Sequence, residues 1–135
     1  MVVLVVEDEV LVRAWVIDVL EEADLEFAVA SNGDEAVRIL DKRSDIGIVF
    51  TDVNMPGSID GISLAKLVRE RWPALPVILT SALAVPSGFV FDERMIFMPK
   101  PYDATKLVEA LQAFGIGGGG KPRTNTLDRR QLPRD

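Results

Sequence analysis

The chain has 135 residues, 48% hydrophobic and 27% charged, enough apolar material to close one core and form a single domain. It contains neither cysteine nor histidine, which excludes disulfides, thiolate metal sites and the commonest general base, and leaves any chemistry to carboxylates, hydroxyls, amines and backbone. The net charge of −6 is uneven: residues 1–120 hold 10 Lys and Arg against 19 Asp and Glu, residues 121–135 five against two, so the acidic body is a poor match for nucleic-acid phosphate.

Short apolar runs over 2–6, 25–30, 46–51, 76–80 and 95–98, rich in Val, Ile and Phe, predict strands. The segments between them, 9–23, 34–43, 61–72 and 103–114, carry a helical period, and a less regular piece over 86–92 predicts a fourth, short helix. Strands as continuously apolar as "IGIVF" suit a parallel sheet covered on both faces. The expected architecture is therefore a five-stranded, doubly wound α/β sandwich. Asp103 is a good N-cap and Gly115 a left-handed stop for the last helix. Residues 116–135, with four consecutive glycines and a basic balance, are expected to form a disordered tail. No apolar run approaches the roughly 18 residues of a membrane span. No basic stretch precedes the first apolar one, so a cytoplasmic, membrane-free protein is expected.

The first helix poses a question. Projected at the helical angle, Val12, Val16, Val19, Leu20 and Ala23 fall on one face, while Val10, Ala14 and Ile17 make a second stripe opposite, expected to be exposed and able to dock a partner helical bundle or a second copy.

Polar residues follow the strands in a particular order. Glu7 and Asp8 come after the first, Asp52 after the third, Thr80 at the end of the fourth and Lys100 after the fifth. Functional groups of such sheets lie beyond the carboxyl ends of the strands, so all five converge there. Three carboxylates form a hard, all-oxygen site suited to Mg²⁺, which also offsets the repulsion between Glu7 and Asp8. Asp52 sits in "TDVNMPGSIDG", where Pro and Gly force a loop, and its carboxylate is expected to be exposed. In that position it can act as a nucleophile toward phosphorus, with the Lys100 ammonium neutralising charge and the Thr80 hydroxyl bonding a phosphoryl oxygen.

The stretches "VVEDE", "TDVNMPGSIDG", "VILTSA" and "MPKP" resemble the receiver domain of two-component response regulators, especially the stand-alone, chemotaxis-type ones, over residues 1–115. The resemblance implies a flavodoxin-like sheet of order 2-1-3-4-5 with helices on both faces. It implies Asp52 as phosphoacceptor, Glu7, Asp8, Asp52 and the backbone carbonyl of Asn54 as Mg²⁺ ligands, and Thr80 and Lys100 as a phosphate-sensing pair. Phe97 matches the aromatic that swings inward when Thr80 moves. Further implied are a histidine kinase or phosphotransfer protein as donor, an unknown downstream protein as target, a possible homodimer and self-catalysed dephosphorylation in place of ordinary enzyme turnover. Asn54 and Ala82 match positions that tune the phosphoryl lifetime.

The match is weakest at "SALAVPSGFVFDERM", where Pro86 and Gly88 interrupt what the family builds as a full helix; this segment is expected to be mobile or remodelled. Three other readings stand beside the switch. One is a receiver-like interaction module that is never phosphorylated; another is the receiver portion of a hybrid histidine kinase. A third, a phosphatase of the haloacid dehalogenase type, carries its nucleophile after the first strand in a D-x-D arrangement, whereas here that strand ends in "EDE".

Overall fold

A computed structural model describes residues 1–83 and 87–117. Five parallel strands form one sheet: β1 (Val2–Val6), β2 (Glu26–Ala30), β3 (Ile46–Asp52), β4 (Val77–Ser81) and β5 (Met95–Pro99), in the order β2-β1-β3-β4-β5. The expected sheet and strand order are both present.

Alternation along each strand divides the core in two. Leu4, Val6, Val49 and Leu79 face α2 (Gly33–Lys42) and α3 (Gly61–Arg71), meeting Leu40, Leu64 and Val68. Val3, Val5, Ile48, Phe50 and Ile78 face α1 (Val10–Glu22) and α4 (Ala104–Ala113), meeting Val16, Leu20, Leu107 and Leu111. Ile116 is 3% exposed in this second cluster, so the packed chain continues just past the left-handed Gly115.

Three helices start where a short polar side chain accepts an orphan backbone N–H. Asn32 accepts from the Glu35 N–H at 2.8 Å, Asp60 from Ser63 at 2.8 Å and Asp103 from Lys106 at 2.9 Å. Helix α1 begins at Glu9 without a side-chain cap; instead Arg13 Nη1, within its first turns, donates to the Glu7 carbonyl at 2.9 Å. That bond ties the start of α1 to the end of β1, where two of the acids lie.

Two expectations need correction. Among the described residues no helix lies between β4 and β5: Ser87 and Gly88 form a turn, and Phe89–Asp92 have no regular structure. Gly88 takes a positive φ of 88°, which a continuing helix does not allow. Pro86 and its two predecessors lie outside the described residues. On α1, Val10 and Ala14 are exposed as expected, but Ile17 is half-buried, and the bare surface runs instead through Val10, Leu11, Ala14 and Trp15. A flat 100° projection does not foresee that Ile17 is half-buried while Leu11 is left 84% exposed. The expected tail falls almost wholly outside the described residues.

Candidate functional site

Strand register brings the polar residues together. Asp52 pairs with Thr80, and Thr80 with Met98, two residues before Lys100. Val6 pairs with Thr51, which sets Glu7 and Asp8 on the loop beside Asp52. At this edge a carboxylate oxygen from each of Glu7, Asp8 and Asp52 lies within 4.8 Å of the others, and Lys100 Nζ stands 3.1 Å from Asp52 Oδ2. All five residues singled out by strand position thus meet in one place.

Asp52 is corrected in one respect. Its side chain is only 8% exposed, because Lys100 reaches across it and the following loop folds back, the Gly61 N–H donating to the Val53 carbonyl at 2.9 Å. The other carboxylate oxygen, Oδ1, accepts the backbone N–H of Asn54 at 3.2 Å. Both oxygens are therefore held, and the group has one fixed orientation. Gly61 permits this fold-back: a Cβ there would lie 2.6 Å from Val53 Cα and closer still to the Asp52 carbonyl.

Burial raises the Glu7 carboxyl above the ordinary carboxylate range, and the neighbouring Asp52 charge adds to it, against the lowering effect of the Glu9 N–H that donates to Glu7 Oε2 at 3.1 Å. A buried carboxyl under that pressure favours either a proton or a nearby cation. Burial likewise pushes the Tyr102 phenol up, helped by the charges of Glu7 and Asp52, so this side chain, tilted against Trp15 and edge-on to Phe50, remains neutral.

Thr80 is fully buried and its Oγ1 has no hydrogen-bond partner. A buried hydroxyl in that condition costs free energy until something supplies an acceptor or donor. Phe97 is half-buried on β5, paired with Leu79 and set against Phe91 with ring centroids 6.4 Å apart; Met98, not Phe97, is level with Thr80.

Two contributors escaped the sequence reading. Arg13 secures the β1–α1 junction, and Ser81, 1% exposed, accepts at its Oγ from Asn54 Nδ2 at 3.2 Å and from the Leu83 N–H at 3.0 Å. The adjacent hydroxyls of "LTSA" were the available signal for Ser81; nothing local marks Arg13, whose partner is a backbone carbonyl.

Residues 3–112 match the response regulator receiver domain family. The response regulator protein FleR of Pseudomonas aeruginosa is 33% identical over 118 residues, covering 85% of this chain and 24% of that protein. Among solved structures, a response regulator receiver protein from Sinorhizobium medicae aligns with a TM-score of 0.77 at 23% identity over 84% of this chain and 93% of its own, a likeness of fold. The receiver domain of NtrX from Brucella abortus aligns at 0.74 with 28% identity, covering 83% of this chain and 96% of its own. A parallel sheet ending in three acids and a lysine is thus the framework of a signalling domain. The chain belongs to the response regulator receiver domain family of two-component systems. It spans about a quarter of the length of the curated relatives it matches.

Proposed function

We propose that the chain is a phosphorylation-dependent switch whose phosphoacceptor is Asp52. The observation that carries this reading is the fully buried Thr80 hydroxyl, left without a partner in strand register with a carboxylate that Lys100 and the Asn54 N–H hold in one orientation. An oriented carboxylate is a competent nucleophile, and an orphan hydroxyl beside it awaits an oxygen atom. In the transfer, an Asp52 oxygen forms the new bond to phosphorus while the bond to the donor breaks, and the donor group leaves with that electron pair. Lys100 balances the negative charge on the transferring group, and Thr80 donates its hydroxyl hydrogen to one of the phosphoryl oxygens.

Glu7, Asp8 and Asp52 fit Mg²⁺ as an all-oxygen donor set of small span, with the Asn54 carbonyl as a further ligand, and a bound ion supplies charge neutralisation to the phosphoryl oxygens. The same ion satisfies the raised Glu7 carboxyl without a proton. The donor is a histidine kinase or a histidine phosphotransfer protein. The output passes by contact to a downstream protein as Thr80 turns toward the phosphoryl group and Phe97 moves into the space vacated, changing the surface around β5.

Acetyl phosphate with Mg²⁺ tests the reading. The wild type is expected to gain the mass of one phosphoryl group and Asp52→Ala none; equal labelling of the two, or no labelling of either, overturns it. Absence of labelling with an intact fold is the outcome that favours a purely interacting module.

A further inference from the structure

We propose that residues 121–135 dock across the bare face of α1 and compete there with the histidine donor; the contact stands on its own observations, while the competition rests on Asp52 being the phosphoacceptor. The face to be covered is apolar. Val10 is 65% exposed, Leu11 84% and Trp15 39%, with the exposed Ala14 among them. Beside Trp15 a groove of about 540 Å³ continues along the helix, lined by Trp15, Asp18, Val19, Glu21, Glu22 and Ala104. A contiguous apolar surface rimmed by charge marks a contact site. Here the rim has one sign. Between residues 9 and 22 stand Glu9, Asp18, Glu21 and Glu22 against Arg13 alone, whose Nη1 is already given to the Glu7 carbonyl. None of these four acids has a salt-bridge partner among the described residues. Glu21 and Glu22 moreover lie in the last turn, where the helix dipole favours cations and no basic residue is present.

The occupant with matching chemistry is the chain's own continuation. Residues 121–135 carry Lys121, Arg123, Arg129, Arg130 and Arg134 against Asp128 and Asp135, and Leu127 and Leu132 flank the central Arg pair. Guanidinium groups suit both the carboxylates and the open face of the Trp15 ring, and the leucines suit Val10 and Leu11. The chain also leaves the domain at the right place. Gly117 is seated so closely on Leu25, two residues past the C-cap of α1 at Ala23, that a Cβ on it would lie 2.6 Å from Leu25 Cδ2. From there the 13 residues of α1 extend about 20 Å, and the 18 residues after Gly117 can span up to about 60 Å. Tethering holds the segment at a local concentration on the order of millimolar, so a contact too weak to persist between separate molecules is occupied within one. The other exposed apolar patch, Leu83, Val90 and Phe91, is a poorer match. It lies by β4 and β5, at the sheet edge away from Leu25 and β2, and its acid Asp92 is already paired with Arg69.

A single spin label tests the contact, because the chain has no cysteine of its own. In the full chain, Gln131→Cys carrying a nitroxide is expected to broaden the amide resonances of Leu11, Trp15 and Asp18 and to leave those of Leu83 and Phe91 sharp. In 1 M salt, where the screening length is about 3 Å, the broadening on α1 is expected to fade, and Arg129→Ser with Arg130→Ser is expected to weaken it at low salt. Broadening spread evenly over the surface, centred on Leu83 and Phe91, or indifferent to both salt and the Arg changes overturns the docking. Broadening of isotope-labelled chain by nitroxide on separate, unlabelled chain identifies a second copy as the occupant and overturns the contact within one molecule. For the competition, the double Arg variant is expected to accept phosphoryl from a phosphorylated histidine phosphotransfer protein roughly 2- to 5-fold faster than wild type, and from acetyl phosphate at the wild-type rate. Equal rates from the histidine donor overturn the competition. No labelling of folded wild type by acetyl phosphate overturns the phosphoacceptor reading, a failure distinct from loss of the broadening on α1.

Discussion

Lys100 Nζ lies 3.1 Å from Asp52 Oδ2 although 48 residues separate them and β4 runs between their strands. It is the sole cation within salt-bridge distance of the acidic cluster among the described residues. Replacing it by Met leaves three clustered carboxylates without an internal counter-charge. We expect Lys100→Met to lower stability by about 1–3 kcal/mol in chelator, a partial loss because the lysine side chain is 24% exposed. Millimolar Mg²⁺ is expected to recover most of that loss, and urea unfolding with and without the ion measures both quantities.

Glu7 gives a pH dependence of definite sign. Its folded-state carboxyl titrates above the unfolded one, so the folded state binds more protons between the two values, and stability falls as pH rises through that window. Glu7→Gln removes the ionisation. In metal-free buffer near neutral pH the variant is expected to melt a few degrees above wild type. The advantage disappears as the pH approaches the unfolded glutamate value, where wild-type Glu7 is itself neutral. Thermal melts across that range check it; an advantage that grows on acidification contradicts the assignment.

Thr80→Val is nearly isosteric and deletes the buried hydroxyl that has no partner. Stability is expected to rise by about 1 kcal/mol, since the unfolded chain gives up only a solvated hydroxyl and the folded one loses an unsatisfied atom. The same change is expected to abolish the near-ultraviolet dichroism difference between phosphorylated and unphosphorylated protein, a direct sign that stability is traded for switching.

Gly61→Ala places a methyl against the backbone of Asp52 and Val53, rigid atoms that cannot turn aside. A loss of about 3 kcal/mol or more is expected, because relief requires moving the loop that orients Asp52. Denaturant midpoints measure the loss.

The bare face of α1 offers a cleaner partner test than Ile17, which is half-buried and would destabilise the fold if made charged. Leu11 is 84% exposed. Leu11→Asp is expected to leave stability within about 0.5 kcal/mol of wild type and to slow phosphoryl transfer from a histidine donor while sparing transfer from acetyl phosphate. A wild-type rate from the histidine donor would place the docking surface elsewhere.

Much of the molecule was legible from particular residues. The apolar runs of β1 and β3 are buried at every position, which is why composition alone revealed them, and Asp103 announced a helix start through an interaction confined to three residues. The region between β4 and β5 was less legible: an apolar, Gly- and Pro-containing stretch is compatible with a distorted helix or an open loop, and packing of Phe89 on Phe91 and of Phe91 on Phe97 accompanies the loop over the described residues. The burial of Asp52 was misjudged because loop propensity reports on turns, not on a lysine arriving from another strand.

Order along the chain, strand by strand, was enough to say which acids, hydroxyl and amine would share one edge, because a parallel sheet delivers every strand's carboxyl end to the same side. Distances, orientation and satisfaction belong to the tertiary structure. Whether Asp52 touches Lys100, whether Thr80 Oγ1 has a partner and whether Ser81 holds Asn54 depend on register and on side chains from separate strands meeting within an ångström or so. Hydrogen bonds and ion pairs fall off over that distance, whereas hydrophobic pattern does not, and so the pattern could be read in one dimension while the chemistry required three.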